Sequence, residues 1–241
     1  ADVILKGTRV DGIYTADPRL VSKAQKLGKI TYEEMLEMAS LGSKVLQTRS
    51  VELAMNYGVN LQVRSSFDDK PGTIVVSEEE IVEQQIVSGI SQSKEESKIT
   101  LLKIADKPGI AASIFGPLAD ASINVDMIVQ NISEDGNTTD LTFTVSTTDL
   151  KNALEVLETR ASNIGVGQII ADSNVVKISV VGIGMRSHAG IAQKMFMALA
   201  DKGINIKVIS TSEIKVSVLV AEEYGELAVR ALHSAYGLDS N

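Results

Sequence analysis

Apolar residues recur along this 241-residue chain with two periods, and one succession of them appears twice. Lys98 to Asn124 and Lys177 to Asn205 share Lys-Ile at their starts, Gly109-Ile110-Ala111 against Gly190-Ile191-Ala192, and Leu118-Ala119-Asp120 against Leu199-Ala200-Asp201. Both close on an Ile-Asn pair, and a two-residue expansion in the strand-to-helix loop accounts for the offset. Each copy begins with a strand that runs through a Gly-containing turn into a helix. Ile110, Ile114 and Leu118 in one, and Ile191, Met195 and Leu199 in the other, recur at helical spacing. A period of two follows: Leu141, Phe143 and Val145 alternate with Thr142 and Thr144, and Ile214, Val216, Val218 and Val220 with Lys215 and Ser217. That pattern buries one sheet face and leaves the other polar or covered. A second helix is marked by Leu150, Leu154 and Leu157, and by Leu227, Ala231 and Leu232. The order βαββαβ, repeated in tandem, predicts two ferredoxin-like modules of an α+β protein.

The residues ahead of the repeat read differently. A strand is expected over Ala1-Asp2-Val3-Ile4-Leu5, then turns at Asp11-Gly12 and Asp17-Pro18. Thr31 followed by Glu33 and Glu34 is an N-cap with an acidic first turn, predicting a helix from Tyr32 to about Ala39. A second helix is expected from about Gly42 to Tyr57, burying Val45, Leu46, Leu53 and Ala54, then a strand over Asn60 to Arg64 and a loop over Asp68 to Gly72. The charge runs Glu78 to Glu80 and Ser93 to Ser97 read as a solvated linker and a hairpin tip.

Composition narrows the partners. Apolar residues make up 44% of the chain but aromatics only 4%, so the core is aliphatic. A net charge of −8 argues against nucleic acid and anionic membranes, which favour basic patches. No apolar run approaches the roughly 20 residues that span a bilayer. The absence of cysteine excludes disulfides and thiolate chemistry and fits a reducing, cytoplasmic setting. The abrupt start at Ala1 suggests a fragment.

Candidate chemistry centres on the strand-to-helix turns. Gly182-Ile183-Gly184-Met185-Arg186-Ser187 imitates a dinucleotide loop, but Ser187 replaces the third glycine and no acidic residue follows at the proper distance. A helix N-terminus offers free N–H groups to a carboxylate, and nearby Asp or Glu can take an ammonium, so a free amino acid suits such a turn. Asp106 precedes the first helix; Asn124 and Asp126 begin the next strand, with Gln130 further along. Taken alone, Pro108 and Gly109 shape a loop that Asp106 caps; the duplicated Gly-Ile-Ala and Ile-Asn favour binding. His188 and His233 have no metal-ligand spacing and read as loop or helix-surface residues, and no metal site is expected.

Val87-Ser88-Gly89-Ile90, Ser97 to Thr100, Asp106-Lys107-Pro108-Gly109, Ile123 to Asn131, Gly136 to Asp140 and Ile209 to Ile214 together resemble the regulatory half of aspartokinases. The resemblance implies tandem ACT domains preceded by the C-terminal part of an α/β amino-acid-kinase domain, with segments 1–76, 77–170 and 171–241. It further implies that a strand around Gln85 to Ile90 joins the last module's sheet. Effector contacts implied by position are Asp106, Lys107, Pro108, Gly109, Ile110, Ala111, Asn124, Val125, Asp126 and Gln130 in the first module. In the second they are Ile191, Ala192, Asn205, Ser212 and Glu213. Val10 to Arg19 resembles the family's ATP-binding loop, which makes Tyr14, Thr15, Ala16, Asp17, Pro18 and Arg19 nucleotide candidates, and Lys44 resembles a lysine near the phosphates. Read alone, these are turns and a surface lysine. Thr8-Arg9 departs from the family's usual Thr-Asp, and Val3 to Gly12 is closer to a uridylate kinase of the same superfamily, which lacks ACT modules.

The family's activity is ATP- and Mg-dependent phosphorylation of the aspartate β-carboxylate in lysine, threonine and methionine biosynthesis. Lysine and/or threonine would be the effector, bound across a homodimer or an α/β hetero-oligomer that pairs through the ACT domains. No bound cofactor is expected in the ACT region. The phosphate loop and the aspartate-holding residues would lie upstream of Ala1, so the chain alone is expected to be inactive as a kinase, with no catalytic residue of its own. The alternative is a non-catalytic regulatory subunit that assembles with a separate catalytic chain.

Overall fold

The computed structural model describes residues 3–81, 85–132 and 137–239, arranged in two compact units. One comprises residues 1–93, 177–207 and 211–241, the other 94–176 and 208–210. Ala1 and Asp2 of the expected first strand, and Gly136 of the family motif, lie outside the described residues.

In the first unit, β1 (Val3–Thr8), β2 (Lys29–Thr31), β3 (Asn60–Ser65) and β4 (Thr73–Val76) form a sheet in the order β1-β3-β4-β2. β1 runs parallel to β3 and β2 parallel to β4, while β3 and β4 are antiparallel. Helix α1 (Tyr32–Ser40) starts as its sequence directs: the Thr31 hydroxyl accepts from Glu34 N–H, and the Glu34 side chain reaches back to Thr31 N–H, a reciprocal capping box. Helix α2 (Thr48–Asn56) is shorter than expected, because residues 41–47 turn the chain back and Ser43 N bonds to Met38 O at 2.9 Å. The later start changes which face is inward. Val51 and Ala54 are buried, whereas Leu53 is 49% exposed rather than buried. Ile13, Ile30, Met35, Met38, Val51, Val63 and Val75 form one core with Val181.

Val181 ends β10 (Val175–Val181), which lies in the sheet β11-β12-β10-β5 with β5 (Gly89–Ser93), β11 (Ile206–Thr211) and β12 (Lys215–Ala221). β5 pairs antiparallel with β10, from Gly89 opposite Val181 to Ser93 opposite Lys177. The fourth strand of this ferredoxin-like sheet therefore comes from chain preceding the first repeat. Helices α5 (Ile191–Ala200) and α6 (Gly225–Ala235) complete the module. β10 is buried at every position, so its polar face is covered too: Ser179 and Ser217 bond each other at 2.7 Å, and Lys215 pairs with Glu37 of α1 at 2.9 Å.

The second unit is the first repeat. β6 (Glu96–Ala105), α3 (Ile110–Asp120), β7 (Val125–Ile132), β8 (Thr138–Ser146), α4 (Leu150–Ile164) and β9 (Gln168–Asp172) give the strand order β7-β8-β6-β9. Ile99, Leu101, Ile114, Leu118, Leu141, Phe143 and Leu157 are at most 2% exposed and form its core. Ser93 to Ser97 is not a hairpin tip. β5 and β6 belong to different sheets, and Glu96 and Ser97 are buried.

Candidate functional site

The nucleotide-side candidates lie in a loop tied down by its own residues and by the last module. Tyr14 donates its hydroxyl to Asp11 at 2.8 Å; burial, and then this bond, push that hydroxyl up to about 12. Asp11 is held below the usual carboxylate range, chiefly by Tyr14 and then by Lys26. Thr15 and Ala16 are buried. Thr15 exchanges bonds with Gln25, its carbonyl accepts from Ile90 N in β5 at 2.7 Å, and its hydroxyl lies 2.8 Å from His233 Nε2. Asp17 turns outward, and the Arg19 guanidinium holds it below the usual range through bonds of 2.6 to 3.1 Å. Pro18 and Arg19 are exposed, as is Lys44 on the turn between α1 and α2.

In the first repeat, β6 leads into Asp106 through a bulge. Lys103 adopts φ 56°, and its N–H donates to Asp140 Oδ1 at 2.8 Å. Asp106 N–H bonds to Asn137 O at 2.9 Å, and Gly109, at φ 87°, opens α3 with no side-chain cap. Asp106, Lys107, Pro108 and Gly109 are exposed, Ala111 is half-buried, and Ile110 belongs to the core. Asn124, Asp126 and Gln130 are exposed and Val125 half-buried. A second bulge falls at Met127, φ 47°, whose N–H donates to Asp126 Oδ1 at 2.7 Å. These candidates do not converge within one module. Asp106 to Ala111 stand at the start of α3 and Asn124 to Asp126 beyond its end, eleven helical residues apart, which is about 16 Å at 1.5 Å per residue. Gln130, opposite Leu141, lies between the two ends.

The last module repeats the plan. Gly190 opens α5 at φ 89°, close to the 87° of Gly109. Ile191 and Ala192 begin α5, whereas Asn205 lies past its end. Ser212 and Glu213 form the β11–β12 turn, where Ser212 N bonds to Lys215 O and Glu213 faces Arg186 at 3.6 Å. Ile191 O already accepts the Tyr236 hydroxyl at 2.8 Å. Thr15 and Ile191 line one cleft of about 980 Å³ with Lys26, Lys29, Lys194 and Tyr236. The glycines of the false dinucleotide loop serve close packing: a Cβ on Gly182 would lie 2.3 Å from Ile86 O, and one on Gly184 2.7 Å from Ile86 Cα. Among the described residues, no three His, Cys, Asp or Glu side chains gather as a metal site, and no helix is long and apolar enough to cross a membrane.

Residues 1–65 match the model of the amino acid kinase family, and residues 98–161 and 178–236 each match an ACT domain. A chain from the crystal structure of aspartokinase alpha and beta subunits is 52% identical, covers 63% of this chain over 99% of its own length, and superposes with a TM-score of 0.60. The chain belongs to the aspartokinase family. The aspartate kinase of Stutzerimonas stutzeri is 58% identical over 234 residues, which are 97% of this chain and 57% of that protein. This chain thus spans 57% of the length of that curated relative. Escherichia coli aspartokinase III in complex with lysine and aspartate, in its T-state, is 26% identical over 97% of this chain and 52% of that one, with a TM-score of 0.77.

Within this aspartokinase chain, two buried polar residues carry no signal of their distant partners in their local sequence. His233 is wholly buried on α6, not at its surface, and bridges Thr15 to Asp239, whose Oδ1 lies 2.6 Å from Nδ1. Asp239 is held below the usual range by Ser234 first and then by His233. Glu34 is 2% exposed and bonds well beyond its own helix. The capping motif announced the first half of its role, but nothing local announced the second.

Proposed function

We propose that this chain is the nucleotide-side and regulatory portion of an aspartate kinase that phosphorylates the L-aspartate β-carboxylate at the expense of ATP, in the cytoplasm. Its segments would be 1–76 from the kinase domain, 77–170 as the first ACT domain, and 171–241 as the second, completed by β5. Tyr14 to Arg19 and Lys44 would face the nucleotide, with Lys44 as a point charge toward the phosphates. Mg²⁺ would arrive with ATP, and the chain by itself would not catalyse the transfer.

Feedback by lysine and/or threonine is the regulatory half of the reading. The observation that carries it is the anchoring of Thr15, inside the candidate nucleotide loop, by Ile90 of β5 and His233 of α6. A loop held by a sensing module is one whose occupancy that module biases. The separation along α3 supports an effector pocket shared between two chains. One amino acid does not span both ends of α3, but a paired module can bring its opposite end to the same ligand. The alternative, a regulatory subunit, draws on the alpha and beta subunit structure, one chain of which is matched over 99% of its length by only part of this one. Exposed Ile4, Leu5, Leu53 and Tyr57 on the kinase segment favour the larger enzyme, whose remaining half would cover them. An upstream Gly-Gly phosphate loop in the encoding reading frame decides between the two.

The test is isothermal titration with lysine, threonine, both together, and methionine as control, paired with thermal melts. A ligand at about 100 times its Kd stabilises by about 2.7 kcal/mol. Binding that Asp106→Ala abolishes is the expected result. A folded, dimeric chain that binds neither lysine nor threonine overturns the sensor reading.

A further inference from the structure

Glu34 makes bonds that its place in α1 does not require. Its Oε2 accepts from Thr31 N–H at 3.2 Å and from the Thr31 hydroxyl at 3.1 Å, closing the capping box. Its Oε1 accepts from the Ser88 hydroxyl at 2.5 Å and from Ile183 N–H at 2.9 Å. Ser88 leads into β5 and bonds through its own N–H to Val181 O, while Ile183 opens the turn after β10. A single buried carboxylate therefore joins the helix of the kinase segment to the strand-to-helix turn of the second ACT module. One helical turn later, Glu37 adds the pair with Lys215.

The chemistry demands a carboxylate. Hydroxyls can reverse their role, but the N–H groups of Thr31 and Ile183 can only donate, and they sit on different oxygens. An amide of identical shape has one acceptor end, so it must turn its NH₂ against one of these two donors and leave buried groups unmatched. Neither helix formation nor capping alone imposes that requirement, since a capping box accepts Gln as readily as Glu.

We propose that Glu34 is a positioning residue that couples the second ACT module to the nucleotide-side segment. This rests on the reading of the chain as the regulated part of a kinase. α1 begins at the Thr31 cap that Glu34 closes and ends just before the turn that carries Lys44, so Glu34 stands between the module's turn and that end of the nucleotide-side segment.

The test compares wild type, Glu34→Gln and the milder Ser88→Ala in the full-length kinase, measuring effector affinity by titration separately from inhibition of turnover. In Glu34→Gln the effector Kd, measured without substrate, stays within about twofold while the fold-inhibition at saturating effector falls by up to about tenfold, the size of an ordinary coupling energy. KM for ATP moves more than KM for aspartate, and Ser88→Ala shifts both in the same direction by less. A purely structural role would lower the melting temperature without separating binding from inhibition. Amide hydrogen exchange at Ile183, measured in the present chain, gives an independent reading: exchange there accelerates in Glu34→Gln. If wild type shows no effector inhibition, the kinase-regulation reading falls with its coupling, whatever the exchange data show about the joint. If wild type is inhibited and Glu34→Gln is inhibited to the same extent at saturating effector, or if Ile183 exchange is unchanged, the role of Glu34 is refuted.

Discussion

The Thr15–His233–Asp239 chain lends itself to a double-mutant cycle. His233 is fully buried and sits in two short contacts, 2.8 Å to Thr15 and 2.6 Å to Asp239. Removing its ring forfeits two hydrogen bonds at about 1 kcal/mol each and opens a cavity costing about 1 to 2 kcal/mol more. His233→Ala is therefore expected to cost about 3 to 4 kcal/mol. Thr15→Val keeps the shape but loses the hydroxyl that meets both His233 and Gln25 N–H, for about 1 to 2 kcal/mol. If the two side chains bond each other, the double variant loses less than the sum, with a coupling of about 1 kcal/mol. Urea unfolding followed by tyrosine fluorescence is a well-matched assay. The chain has no tryptophan, and all five of its tyrosines lie in the unit that contains this network. Additivity within about 0.3 to 0.5 kcal/mol would refute the pairing.

Phe143→Ala should cost about 3 to 5 kcal/mol in the other unit, since Phe143 is fully buried and meets Phe115 edge-on at 5.2 Å. Circular dichroism should register that loss while the tyrosine transition holds its midpoint; a shifted tyrosine transition would contradict the division into two units. For Tyr14, the folded value is raised, so its contribution to stability is complete below the ordinary tyrosine value of 10.0 and is lost as pH rises through about 12. An absorbance titration of phenolate should show Tyr14→Phe removing an ionisation near pH 12, and an unchanged alkaline limb would refute the assignment.

Much of this architecture is written locally. The Thr31–Glu34 capping box was legible because its partners are three residues apart. The repeated modules were legible because strand and helix periods print directly on the order of apolar residues. Even the matched Gly109 and Gly190 could be aligned before their left-handed geometry was seen.

The candidate site was legible only as a set of residue types. Its division between the two ends of α3 follows from helix geometry, and the partners of each residue follow from contacts distant in sequence. Leu53 was misassigned because α2 starts at Thr48, which changes the inward face by a fraction of a turn. His233 looked superficial because Thr15, its partner, lies 218 residues away.

What the sequence determined by itself was the kind of elements, their order and their duplication. Periodicity and capping are short-range physics, and each window of the chain carries its own evidence. The family resemblance points to a strand near Gln85 to Ile90 in the last sheet, but only the tertiary structure set it at Gly89–Ser93 and decided that Glu34 serves a turn 149 residues away. Those choices depend on which buried donors and acceptors find each other once the chain has closed, and no local pattern of polar and apolar residues records that.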